Sequence, residues 1–143
     1  MRSCGPCTAC CTAQGVKEGL ETPKPPGVPC VHLSACGGCA IYKSRPKECE
    51  SYSCLWLLGM GPIEERPDLL GVLYEHQPHP EVPQGLIIVR ILREGQERST
   101  RVRWNMRELV KRGFWVGVAQ KPPPEGAGWV QETSFYTKLT DFD

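Results

Sequence analysis

Cys4-Gly5-Pro6-Cys7-Thr8-Ala9-Cys10-Cys11 opens the chain, and Cys30, Cys36, Cys39, Cys49 and Cys54 follow. All nine cysteines lie before residue 55 of a 143-residue chain. Sulfur gathered on one side of a sequence builds either a metal site or a disulfide framework, and an odd number leaves one thiol over from complete pairing. The N-terminus, Met1-Arg2-Ser3-Cys4, carries no apolar h-region and no small-residue cleavage site. No run approaches the ~18 apolar residues of a membrane span. The expected setting is therefore the cytoplasm, a reducing compartment where disulfides are rare. Metal ligation is the preferred reading.

Spacing supports it. Cys4-x-x-Cys7 and Cys36-Gly37-Gly38-Cys39 are C-x-x-C pairs, which form tight turns with both sulfurs converging on one ion at ~2.3 Å. Glycine in such a turn lets backbone amides approach the thiolates without Cβ clashes. Cys7-x-x-Cys10 repeats the spacing, so the run also matches an iron–sulfur ligand pattern, and a [4Fe-4S] cluster is the alternative cofactor. Cys10 and Cys11 are adjacent. In a helical turn neighbouring side chains diverge, so these two sulfurs serve different centres or bridge one binuclear centre; a strained vicinal disulfide is the alternative without metal. The letters Cys-Gly-Pro-Cys suggest a thioredoxin motif, but only three residues precede them and the required βαβ context is missing. A metallothionein-like cluster is at odds with the aromatic residues, four Trp, four Tyr and three Phe.

The elements that must position these thiols are sparse. Between Met1 and Cys54 the large apolar side chains are Val16, Leu20, Val28, Val31, Leu33, Ile41, Tyr42 and Tyr52. That is little to bury, whereas a structural zinc contributes ~10–16 kcal/mol in small peptide sites. This half is expected not to fold without ions. Residues 15–29, with Pro23, Pro25, Pro26, Gly27 and Pro29, are predicted to be a surface loop. His32 is a weaker ligand candidate, expected to lie outside the first coordination sphere or in solvent. Ser44 or Arg45 is expected to precede a helix with Pro46 in its first turn, running toward Leu58 and stopped by Gly59. Cys49 and Cys54 stand about 140° apart around an ideal helix. Either that helix breaks at residues 51–53 or the two sulfurs face different sites.

The ordered set C-x-x-C-x-x-C-C, Pro29-Cys30, Gly38-Cys39-x-Ile41-Tyr42-x-x-Arg45-Pro46-x-x-Cys49 and Cys54 resembles the cysteine-cluster proteins of the zinc- or iron-chelating CxxCxxCC family (YkgJ-like). The resemblance covers residues 4–54. It implies eight metal-chelating cysteines, Cys4, Cys7, Cys10, Cys11, Cys30, Cys39, Cys49 and Cys54, with zinc or iron ions as cofactors and a poorly defined activity. Cys36 departs from the pattern. Arg45 has two readings, a guanidinium donating to thiolate centres or a plain surface arginine.

After Leu55-Trp56-Leu57-Leu58, an apolar patch expected to dock the first half onto the second, the chain divides into a cysteine-rich module, 1–60, and a small α+β module, 61–143. Strand signals fall at Gly71–His76, Leu86–Arg93, Ser99–Trp104, Phe114–Ala119 and Trp129–Thr140. Asn105-x-x-Glu108 reads as the cap of a short helix, Met106–Arg112, ended by Gly113. The predicted fold class is α+β: a cysteine-rich metal-binding module packed on a small antiparallel sheet with one helix.

Charge is nearly balanced, 17 Lys and Arg against 16 Asp and Glu, which gives no whole-molecule attraction to nucleic acid or an anionic membrane. Residues 90–112 are locally basic, with Arg90, Arg93, Arg98, Arg101, Arg103, Arg107, Lys111 and Arg112 near Trp104, Phe114 and Trp115. A solvated face with the aromatics in the core is preferred to a nucleic-acid face of cations and stacking rings. His76-x-x-His79 reads as a solvated turn rather than a ligand pair. No nucleophile elbow, P-loop or dinucleotide fingerprint is present, so no catalytic residue is assigned. Three functions follow in order: a metal-binding protein, an iron–sulfur protein of redox or radical chemistry, and a zinc-stabilised nucleic-acid-binding module.

Overall fold

Val102, Met106, Leu109 and Val110 are all buried, and their spacing is that of one helical face. They belong to helix α4, Thr100–Lys111. The Ser99 hydroxyl accepts the Val102 amide at 3.3 Å as the N-cap, and Gly113 at φ +95° follows the helix. The expected strand over Ser99–Trp104 is thus the first half of this helix. Alternation in Arg101-Val102-Arg103-Trp104 imitated a strand because Val102 alone turns inward. Asn105 is no cap; its Nδ2 donates to the Tyr74 hydroxyl at 3.0 Å.

The computed structural model describes residues 2–33, 38–119, 131 and 133–143. Four strands form one sheet in the order β1-β2-β3-β4: Val72–His79, Val82–Ile91, Trp115–Ala119 and Thr133–Tyr136. β1 and β2 make an antiparallel hairpin, with Val72 opposite Ile91. β2 and β3 run parallel, with Ile87 beside Val116, and β4 returns antiparallel to β3. The sheet is mixed, not antiparallel, because α4 serves as the crossover that a parallel pair requires. The α+β class holds, with α4 joined by the short helices α1 (Ala9–Ala13), α2 (Lys47–Ser51) and α3 (Pro67–Leu70). Of the final expected strand, Thr133–Tyr136 form β4 and Leu139 and Thr140 instead enter a short 3-10 helix, Leu139–Phe142, because the Asp141 carboxylate turns the chain at Lys138; residues 129, 130 and 132 lie outside the described residues.

Alternate residues of a strand point to opposite faces, and the sheet uses both. Val72 and Tyr74, with Ile87, Val89, Ile91, Val116 and Val118, share a core with α4 and Phe142. Leu73 points the other way, into a cluster with Ala9, Ala13, Cys54 and Trp56, flanked by Cys7, Cys10 and Tyr52. The molecule therefore has three layers: helix, sheet and a cysteine-bearing cap. Leu55 ties the cap to the sheet edge through its amide, 3.0 Å from the Tyr74 carbonyl. Leu58, at the end of that apolar patch, is exposed.

Candidate metal centre

Helix α1 is one turn and a half of small side chains. Ala9 and Ala13, four residues apart, are buried against the sheet-side cluster. Cys10 and Cys11 follow on the same turn; their positions are ~100° apart around the axis, yet the two sulfurs bend within reach of each other. Cys10 packs beside Cys7 and Cys54 at the sheet-side cluster. Cys11 faces Lys24. Their thiols are hydrogen-bonded to each other, which raises the Cys10 pKa and lowers that of Cys11; burial adds to the rise at Cys10.

The N-terminal segment is held near Cys54 by Arg2, whose guanidinium donates to the carbonyls of Trp56 at 2.9 Å and Met60 at 3.0 Å. It also lies over the Trp56 ring, 5.1 Å from the centroid. A turn closes Cys4 onto Cys7 through the Cys7 amide and the Cys4 carbonyl, 2.9 Å apart. Cys10 feels the charges of Cys4 and Cys7, and Cys54 feels that of Cys4. Burial pushes the Cys7 and Cys54 thiols up. Cys7 is also hydrogen-bonded to Asp68, which Arg66 grips at 2.8 Å and holds below the usual carboxylate range.

A second group forms next to Cys11. The Cys30 amide donates to the Cys11 carbonyl at 2.9 Å, and the Leu33 amide to that of Cys30 at 3.1 Å. Leu33 bridges to Cys39. The Gln14 side chain donates to the Glu48 carbonyl at 2.9 Å, which brings α2 and Cys49 alongside. Burial raises the Cys49 thiol, and the neighbouring charges of Cys11, Cys30 and Cys39 raise it further.

Lys24 stands beside this group and is 6% exposed. Its ammonium donates to the carbonyls of Thr12 at 3.1 Å, Pro25 at 3.0 Å and Val28 at 2.6 Å. Burial lowers its pKa to about 8, against the opposing pull of the thiols of Cys30, Cys11, Cys49 and Cys10. Residues 15–29 form the expected surface loop, with no helix or strand and with Lys17, Glu18, Glu21 and Thr22 exposed, but the loop is pinned at two points. Val16 and Lys24 pair through two backbone bonds of 2.8 Å, and Val16 is buried. Nothing in Pro23-Lys24-Pro25-Pro26 announced a buried cation, since prolines report backbone conformation and not depth.

All eight thiols expected from the sequence are free and unpaired with one another by disulfides; Cys36 lies outside the described residues. Among the described residues, no three of His, Cys, Asp and Glu already converge closely enough to hold an ion. The donor chemistry nevertheless fits a thiophilic metal: soft sulfur ligands, two amide-lined turns and a buried cation. The His32 imidazole pairs with Glu21 at 3.1 Å, while its amide donates to Cys30 Sγ at 3.4 Å. Arg45 lies over the Tyr42 ring, 4.1 Å from its centroid, and donates to the Tyr42 carbonyl at 2.8 Å, so its guanidinium serves the turn before α2. The expected helix toward Leu58 is only the single element Lys47–Ser51, and its end separates Cys49 from Cys54.

His76 and His79 lie in β1, not in a loop. His76 meets Phe114 edge-on at 6.0 Å, and His79 Nδ1 accepts the Glu81 amide at 3.1 Å; the two imidazoles are engaged separately. Trp104 and Trp115 are 52% and 40% exposed, so these aromatics are not in the core.

No protein-family model matches the chain, and comparisons with curated proteins and with solved structures likewise return no match. No helix among the described residues is long and apolar enough to cross a membrane.

Proposed function

We propose that the chain is a cytoplasmic metal-binding protein that chelates zinc or iron through the thiolates of Cys4, Cys7, Cys10, Cys11, Cys30, Cys39, Cys49 and Cys54. The observation that carries this reading is that eight free thiols neighbour one another across α1, Cys10 beside Cys11, Cys4, Cys7 and Cys54, and Cys49 beside Cys11, Cys30 and Cys39. The ordered cysteine motif supports it, since it resembles a chelating family. Ions bound there would lock Cys-bearing turns that carry few apolar contacts of their own, and their chemistry when bound is charge neutralisation of thiolates and, for iron, electron transfer. Trp56 and Leu73 pack against the buried Cys54, with Cys7 and Cys10 at the margin of that cluster, whereas Cys4 is exposed and the remaining thiols are half-buried. Purification without oxygen, followed by metal analysis and a visible spectrum, tests the reading. A colourless protein with stoichiometric zinc supports the chelating form; a brown one that bleaches in air supports the iron–sulfur form. Absence of both metals removes each.

A second reading concerns the opposite layer. Arg98, Arg103, Trp104, Arg107 and Lys111, with Glu108 paired to Lys111 at 2.9 Å, line a groove of about 400 Å³ along α4, and the exposed Trp104, covered on one face by Arg101 at 4.8 Å, leaves its other face for a base to stack on. The steps from Arg103 to Arg107 and from Arg107 to Lys111 rise ~6 Å each. This arrangement supports single-stranded nucleic acid as a partner. Arg107→Glu and Trp104→Ala are the informative variants, because Arg103 is engaged by the Phe142 carbonyl at 2.6 Å. Loss of salt-sensitive oligonucleotide binding in both supports the reading; unchanged binding removes it.

A further inference from the structure

We propose that the eight thiols form two separate four-sulfur centres, divided between Cys10 and Cys11, with Lys24 as the built-in counter-charge of only one. This rests on the metal-binding reading above and specifies its stoichiometry and asymmetry. The first centre is Cys4, Cys7, Cys10 and Cys54. Its members are drawn together by the Arg2 clamp on the Trp56 and Met60 carbonyls, the Cys4–Cys7 turn and common packing beside Leu73. The second is Cys11, Cys30, Cys39 and Cys49. It is assembled by the Cys30–Cys11 backbone bond, the Leu33–Cys39 bridge and the Gln14–Glu48 contact. Cys10 and Cys11 stay within hydrogen-bond reach of each other, yet Cys10 packs beside Cys7 and Cys54, while Cys11 is tied through its carbonyl to Cys30 and lies near Cys49 and Lys24. Helix α1 thus hands one sulfur to each group.

The charge environments differ. Four thiolates around a divalent ion leave a net charge of about −2. The first centre faces Arg66 and Asp68, which are bonded to each other at 2.8 Å and cancel. The second faces Lys24, an ammonium whose hydrogen-bond partners are three neutral carbonyls. A buried cation neutralised by no carboxylate at those contacts is set to compensate an anionic site. Lys24 is a positioning residue, not a ligand, and removal of such an outer contact costs a metal site 10–100-fold in affinity.

The test uses the full chain loaded with cadmium and observed by cadmium NMR, which needs no substitution. Two resonances are expected, each coupled to the β-protons of one set of four cysteines. A cysteine coupled to both ions, or sets that mix, would overturn the division. Failure of the chain to bind cadmium or zinc at all would instead overturn the underlying metal-binding reading. For the counter-charge, Lys24→Met should weaken one of two zinc equivalents 10–100-fold in competition with a chromophoric chelator, leaving the other unchanged, and Lys24→Arg should restore most of the loss. Equal weakening of both equivalents, or of neither, contradicts the assignment of Lys24.

Discussion

The amide of Cys30 donates to the carbonyl of Cys11 across 2.9 Å. That one bond joins the end of the 15–29 segment to helix α1 and brings Cys30 to Cys11. Three residues earlier, the Gly27 amide donates to the Thr12 carbonyl at 2.8 Å with Gly27 at φ +84°. A side chain at such a φ costs roughly 1–2 kcal/mol. Gly27→Ala is expected to lower stability by about that amount and to raise the accessibility of Cys30, measured by thermal unfolding and by timed alkylation with mass spectrometry.

Leu73 joins the sheet to the cap, being 1% exposed in the cluster that holds Cys54 and Trp56. Leu73→Ala removes a fully buried side chain and is expected to cost about 2–5 kcal/mol. Denaturant unfolding measures the loss, and alkylation of Cys54, the one buried cysteine among the described residues, should speed up relative to the wild type. An unchanged midpoint would show that the cap does not rest on this residue.

Helix α4 depends on its first turn. Ser99→Ala removes the only side-chain cap described for the helix and should cost about 1 kcal/mol, whereas Asp at the same position should retain most of it. Urea midpoints of the three proteins provide the comparison.

Asp141 supplies a pH dependence away from the thiols. Its carboxylate accepts the amides of Thr137 at 2.7 Å and Lys138 at 3.1 Å, which hold its pKa below the usual range. A depressed folded-state value means the contribution to stability is present above the unfolded value of about 3.9 and disappears as pH falls through the folded value. Asp141→Asn should therefore narrow its deficit against the wild type on acidification. The readout is the thermal midpoint of both proteins from neutral to acid pH, together with protection of Phe142, whose ring stacks on Tyr136 at 4.6 Å.

Much of the architecture was legible because apolar spacing and turn chemistry act locally. Leu86-Ile87-Ile88-Val89 reads as a buried strand and lies within β2, and Gly113 ends α4 as its position predicts. Arg101-Val102-Arg103-Trp104 misled because four residues are too few to tell a period of 2 from one of 3.6. The true helix is visible only when Met106, Leu109 and Val110 are read with Val102. The parallel pairing of β2 with β3 was illegible for the same reason, since without the full helix there is no crossover. In the cap, C-x-x-C spacing marked the thiols, but their grouping depends on contacts between distant residues. The Arg2 guanidinium reaches the Trp56 and Met60 carbonyls, and Lys24 is buried among carbonyls. Neither contact has a period or a motif.

Whether ions hold residues 4–54 in shape, as proposed, is decided by site-resolved hydrogen exchange before and after exhaustive chelation under reducing conditions. The amides of Val16, Lys24, Gly27 and Cys30, bonded within the cap, are expected to lose protection when metal is withdrawn, while those of β2 keep it. Unchanged protection of the cap amides in a protein shown to be metal-free would contradict it.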